Sequence, residues 1–315
     1  MSFELDEPDF TQDALRQLGS AWRLELAARD GTLRRVRRGA YVDAARWAAL
    51  DPLHRHLMKV TAARRAANVE PVFCHESAAA LHGIPFIGSW PVAVHVCVPP
   101  GRSASNSVVR RSRRALAEES ILVLPSGARA TDPITTVLDL AASRSLLSGI
   151  VAISHLRNRL GTTVDELERA LLESGIRAGV RKARLAIARS TSGSESVLES
   201  LIVARCEDLG FARPSQQLPV RGVDGRDYRV DFAWNGGSII AEADGRGKYR
   251  EPDQLAGRTP DEVLWDEKRR EDAIRPTCDR LVRVSWSDAW GGSRLESAFT
   301  FAGVPRPRRA RQLTR

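Results

Sequence analysis

Asp231-Phe232-Ala233-Trp234, Asn235-Gly236-Gly237, then Ile239-Ile240-Ala241-Glu242-Ala243-Asp244-Gly245 is the stretch on which the fold turns. The first β-type run carries one carboxylate, and the second carries two at alternate positions near its end. Side chains alternate faces along a strand, so Glu242 and Asp244 point one way and Ala243 the other. Asn-Gly-Gly is hairpin turn chemistry, which brings Asp231 beside that pair. Carboxylates held so close repel and take up protons unless a cation offsets them. Magnesium seeks oxygen ligands and keeps several waters, so two or three carboxylates suffice. The pattern points to metal-assisted attack on a phosphodiester, with Asp231, Glu242 and Asp244 as ligands and magnesium or manganese as the ion. A plainer reading stays open, because Asp-Gly is a common turn dipeptide and Asp231 fits a solvent-facing strand position.

Outward from this hairpin the pattern is that of a small α/β domain. Residues 195–209 read as a helix with an apolar stripe of Val197, Leu198, Leu201, Ile202 and Cys206, closed by Gly210. Glu195 and Glu199 stand four apart on one flank of it. Strands are expected over 216–220, 228–234 and 238–244, then a Gly- and Pro-rich insertion over 245–260. A charged helix over 262–274 carries Lys268, Arg269 and Arg270, and a last strand over 280–286 leads into a short helix. Helix, three strands, helix and strand make a domain of about 100 residues, enough to fold alone.

The other end reads as a winged helix-turn-helix. Residues 11–18 form a short helix ending at Gly19, Ser20 caps a second over 21–29, and residues 32–42 form a two-stranded wing. Arg34, Arg35, Arg37 and Arg38 would line that wing and meet phosphates, which fixes position without reading sequence. A solvated basic hairpin is the alternative. Between the ends, helices are expected over 53–67, 76–81 and 131–142, and strands over 71–74, 92–98 and 120–124. The basic cluster Arg110, Arg111, Arg113 and Arg114 precedes the last of these strands. Two helices fill 164–188, and the polar stretch 189–193 is the domain boundary. The resulting division is 1–45 winged helix, 46–190 mixed α/β region with a helical connector, 191–300 sheet domain, and 301–315 basic disordered tail.

The net charge of +9 is carried almost wholly by arginine, since the only lysines are Lys59, Lys182, Lys248 and Lys268. Clustered positive charge attracts polyanions by counterion release, which makes DNA the first partner to expect. Arginine, alanine, glycine and valine are also what a GC-rich genome favours. Cys74, Cys97, Cys206 and Cys278 are far apart and form no CxxC pair, so neither zinc nor a disulfide framework is expected. The acidic N-terminus lacks a signal-like apolar core and no run of about 18 apolar residues occurs, which implies a cytoplasmic protein with no membrane partner.

Several ordered motifs together resemble known families. Glu195, Gln217-Leu218-Pro219-Val220, Arg229-Val230-Asp231, residues 240–245, residues 267–272 and Arg283-Val284-Ser285-Trp286 look like the domain related to very-short-patch-repair endonucleases, within the PD-(D/E)XK restriction-endonuclease-like fold. Residues 33–41, 75–83 and 130–141 resemble the antitoxin domain of the AbiEi family of type IV toxin-antitoxin systems. The resemblance implies DNA binding at one end and a nuclease-type core at the other, with a cognate toxin or a repair protein as a partner. It places Asp231 at the metal-binding aspartate, Glu242 at the acidic residue of the (D/E)XK strand, and Glu195 as an outer metal ligand with Glu199 as fallback. Asp244 stands where the pattern has lysine, so either Lys248, first, or Lys268 supplies that cation from elsewhere, or Asp244 holds a second ion; Lys268 and Arg269 are also expected to face nucleic acid. The expected function is a DNA-binding, metal-dependent endonuclease. The alternative is a noncatalytic, antitoxin-like regulator on a degenerate nuclease fold, and a substrate of RNA stays open.

Overall fold

The computed structural model describes residues 9–10, 19–98, 108–113, 115–244 and 260–307 of an α+β chain. Its contacts divide into two units, residues 1–156 with 162–188, and residues 157–161 with 189–315. The expected helix over 11–18, Arg114, the insertion over 245–259 with Lys248, and residues 308–315 lie outside the described residues. Among the described residues no helix is long and apolar enough to cross a membrane.

In the first unit, α1 (Ala21–Arg29) starts where Ser20 Oγ accepts from the Arg23 amide at 3.3 Å. Side-chain capping of this kind satisfies one of the orphan amides of a first turn. The wing follows as β2 (Leu33–Arg37) and β3 (Ala40–Asp43), and β1 (Asp9–Phe10) adds to the free edge of β3. After α2 (Ala44–Ala49), the helix α3 (Pro52–Arg65) is capped by Asp51 with proline in its first turn, where a missing N–H costs nothing.

A five-stranded sheet then forms in the order β6-β5-β4-β8-β7, from β4 (Val72–Phe73), β5 (Val94–Val98), β6 (Val109–Arg113), β7 (Ile121–Val123) and β8 (Arg129–Thr131). The core between α3, α4 (His75–His82) and this sheet is made by Val60, Phe73, Ala78, Val94, Val96 and Ala130. Arginines 110, 111 and 113 precede β7 as expected, and they also form a strand of their own, β6, which pairs in parallel with β5. The unit is completed by α5 (Pro133–Ser143), α6 (Leu146–Leu160), α7 (Val164–Glu173) and α8 (Val180–Arg189); the last residues of α6 and Arg189 of α8 are grouped with the second unit.

The second unit has the element order expected from sequence. Helix α9 (Val197–Asp208) precedes β9 (Ser215–Arg221), β10 (Asp227–Trp234) and β11 (Ile239–Asp244), an antiparallel meander. Helix α10 (Pro260–Ile274) then leads to β12 (Arg280–Ser285), parallel to β11. A parallel neighbour needs a long crossover, and the charged helix supplies it. One core joins Val230, Ala233, Ile240 and Ile274, the last from α10. Trp234 and Phe211 meet Phe299 edge to face at 5.2 and 5.6 Å, tying β10 to α12 (Ser293–Ala302), which follows α11 (Trp286–Gly291). Burying rings such as Phe232 and Phe299 contributes on the order of 2–3 kcal/mol each.

The tail does not begin at residue 301. Helix α12 runs to Ala302, the Pro305 carbonyl accepts from the Ala212 amide at 2.7 Å, and Arg306 lies 4.1 Å over the Phe211 ring while bonding the Leu209 carbonyl. Packing against the aromatic cluster fixes these residues.

The connection from β10 to β11 is a 3-10 turn, Asn235–Gly237, with φ of +50°, +70° and +101° at its three residues. Asparagine tolerates the left-handed region, Gly236 sits within it, and Gly237 lies beyond what a side chain accepts. Gly236→Ala should therefore cost about 1 kcal/mol and Gly237→Ala clearly more. Urea denaturation of the two variants checks the order; equal losses would contradict it.

Candidate carboxylate site and nucleic-acid interface

The turn sets the register Phe232↔Ala241, Ala233↔Ile240 and Trp234↔Ile239. Continued by one residue, this places Asp231 opposite Glu242. A slip of one residue would send Glu242 to the other face, so the turn geometry positions the pair. Asp231 Oδ2 accepts from the Ala243 amide at 2.8 Å, which locks the aspartate against β11.

Glu242 is mostly buried, with 14% of its side chain exposed, and Arg270 Nη2 of α10 meets its Oε1 at 2.9 Å. Its proton affinity is nevertheless pushed up to about 7. Burial is the main cause, Arg270 opposes it, and the charge of Asp231 together with a hydrogen bond to the neutral form adds to it. Glu199, on the first turn of α9, is 6% exposed. Burial again raises its carboxyl, and the charges of Asp231 and Glu195 raise it further, against hydrogen bonds that lower it. Those bonds come from the Glu195 and Ser196 segment, with Glu195 N donating to Glu199 Oε2 at 2.9 Å. Gln217 Nε2 reaches the same oxygen at 3.1 Å from a residue with φ of +52° in β9. Asp231 is thus the common neighbour of two buried glutamates.

The trio expected from sequence is not assembled as such. Among the described residues, no three histidine, cysteine or acidic groups converge as a metal cluster. Asp244 follows Glu242 by two residues and shares its face, but its backbone partner is Ser285, at the end of the sheet. Glu199 is the third carboxylate that feels Asp231. Glu195 turns outward to Arg229 Nη2 at 2.5 Å, because it lies ahead of α9, which starts at Val197.

Lys268 is exposed and lies 5.6 Å from the centre of the Trp265 ring, and Arg269 is exposed beside it. The cation that reaches the carboxylates is Arg270, which also donates to the Arg229 carbonyl at 2.7 Å. Sequence held a signal for it: Arg270 precedes the buried Ile274 by four residues, one helical turn, and so shares its inward face.

On the wing, Arg34, Arg35 and Arg38 are exposed, with Arg34 stacked 6.0 Å over Trp47. Arg37 is different. The β2–β3 register shifts between Arg35 and Arg37, and the bulge turns Arg37 inward, where Nη1 donates to the Ala62 carbonyl at 3.2 Å. Arg37 therefore does not belong with the outward-facing arginines.

No protein-family model matches the chain. Two curated proteins of Mycobacterium tuberculosis, one from each of two strains, are 29% identical to it over 198 residues, which is 63% of this chain and 68% of each relative. Both carry the description uncharacterized protein.

The folded pKa of Glu242, about 7, lies above the ordinary 4.5, so the folded state holds the extra proton between these values. Stability should fall as pH rises through that window and level off above it. Glu242→Gln, which mimics the protonated acid, should lose this dependence and gain on the order of 2–3 kcal/mol relative to wild type between pH 5 and pH 8. Denaturant titrations of both proteins at the two pH values check it; a constant difference would refute the shift.

Proposed function

We propose that the chain binds DNA through its N-terminal wing and hydrolyses phosphodiester bonds at the Asp231–Glu242 site, with magnesium or manganese as cofactor. The carrying observation is the concentration of buried negative charge at Asp231. Both neighbouring glutamates are pushed toward the neutral form, and the ion pair from Arg270 does not bring Glu242 back to its ordinary value. A hard divalent cation relieves repulsion of this kind, and the donors are of the oxygen type it requires.

Asp231 and Glu242 would hold the ion. Each commits one oxygen within the fold, Oδ2 to Ala243 N and Oε1 to Arg270, and each has a second. Glu199 would support from the helix. When bound, such an ion lowers the pKa of a water and stabilises charge on phosphate oxygens. Asp244 replaces the lysine of the family pattern, and Arg270 is the cation available to offset phosphate charge in its place. The exposed Arg34, Arg35 and Arg38 would position duplex through its phosphates. The motifs resembling AbiEi-type antitoxins and very-short-patch-repair endonucleases support both halves of this reading, with a toxin or a repair protein as candidate partner. Cys74, Cys97, Cys206 and Cys278 are not joined in disulfides, which fits action in the cytoplasm.

One observation favours a second reading. The Glu242–Arg270 pair satisfies the carboxylate internally, as expected of a nuclease-type domain kept as a scaffold in a noncatalytic regulator.

Nicking of supercoiled plasmid separates the two. With magnesium, wild type should nick and Asp231→Asn should be slower by about a hundredfold or more, equivalent to about 2.7 kcal/mol. Equal rates, or no nicking by either, would refute hydrolysis. Metal-free footprinting that survives Asp231→Asn, without nicking, would establish the regulator.

A further inference from the structure

A cavity of about 800 Å³ in the first unit has no part in the site above. Its walls are apolar, from Ala63 of α3, Val96 and Val98 of β5, Leu116 and Ile121. Three guanidinium groups also line it: Arg37 of β2, Arg111 of β6 and Arg129 of β8. The one acid in the lining, Glu70, already pairs with Arg64 at 2.6 Å. Arg129 meets only the 87% exposed Glu118, at 3.3 Å, a contact that water largely screens.

Arg37 is the decisive residue. Its Nη1 bonds the Ala62 carbonyl, but its Nε is buried without a hydrogen-bond partner. Burial alone pushes the guanidinium below its ordinary value. A buried charged donor left unpaired is costly, and native folds retain few of them without a ligand, ion or water to meet them. The volume falls in the range of small-molecule sites, which have apolar walls and a few polar groups.

We propose that this cavity binds a small amphipathic anion, an apolar body that lies against Val96, Val98 and Ile121 and ends in one acidic head held by Arg37 and Arg129. The head is a carboxylate or a phosphate monoester, the two groups a guanidinium fork matches. Arg37 closes β2 at the bulge of the wing, so an occupied cavity also ties down the wing strand.

Isothermal titration of the full chain with decanoate, decyl phosphate and decanol, each below its micelle threshold, tests the site. Decanoate or decyl phosphate should bind saturably, and the tighter of the two identifies the head. Decanol should bind at least about tenfold more weakly, because it leaves the arginines unmet. Arg37→Met keeps the aliphatic stem and should weaken binding about tenfold or more, Arg129→Met should weaken it as well, and Arg38→Met should not. Amide exchange over residues 33–43 should slow when ligand is bound. No binding of either anion to wild type, equal binding of decanol, or wild-type affinity in both Arg37→Met and Arg129→Met would overturn the proposal. Melting of the unliganded variants shows that each is folded, and the Arg129 arm stands if Arg37→Met is not.

Discussion

Asp231 cannot carry its charge without raising the energy of two neighbours, and much of the second unit is arranged around that repulsion. The aspartate is fixed by the Ala243 amide, Glu242 is met by Arg270, and Glu199 is held by Gln217 and by the backbone of Glu195. None of these partners cancels the effect, since both glutamates stay above their ordinary range. Burial is the larger cause in each case, with Glu242 on β11 beneath Arg270 of α10 and Glu199 in the first turn of α9. The carboxylates are therefore buried by the same packing that makes the domain stable, which keeps the repulsion in place for as long as the fold persists.

Register connects that electrostatics to the chain. The turn at residues 235–237 requires three consecutive positive φ values, and only an Asn-Gly-Gly sequence meets them cheaply. Given the turn, Asp231 must face Glu242. This much was legible in the residues, as were the helix, meander, helix and strand order and the two strands of the wing, because periodicity and turn chemistry are local signals.

What was not legible depends on burial or on a single inserted residue. By spacing, Glu195 and Glu199 are equivalent. The structure separates them because Glu195 lies ahead of the capped first turn and reaches the surface, whereas Glu199 lies within it and is buried. The run Lys268, Arg269, Arg270 offers three cations, and only the turn shared with Ile274 selects the third. The four wing arginines look alike until the bulge takes Arg37 out of the set, since an irregular register inverts a side chain without altering composition. Strand β8 was passed over for a related reason: it is only three residues long, and its parallel pairing to β4 joins residues far apart in the chain.

In the hydrolysis proposed for this site, the missing lysine leaves two tasks to be divided, offsetting phosphate charge and handling the proton of the attacking water. Arg270 can take the first. It cannot take the second, because a guanidinium stays charged at any relevant pH and offers no acceptor. A cation bound to Glu242 would draw its carboxyl below the value of about 7 that it holds alone, so the ion, by acidifying the water bound to it, would take the second task. Arg270 and the ligand carboxylate are coupled through their own ion pair. A guanidinium drawn toward a phosphate weakens its hold on Glu242, and Arg270 is the influence that lowers the affinity of Glu242 for a proton. The arrival of substrate would thus release Glu242 Oε1 to the ion, whereas in the absence of phosphate the same pair occupies that oxygen. An exchange of this kind requires arginine on α10 and a carboxylate on β11 within a single hydrogen bond of each other, and 2.9 Å is the distance at which they stand.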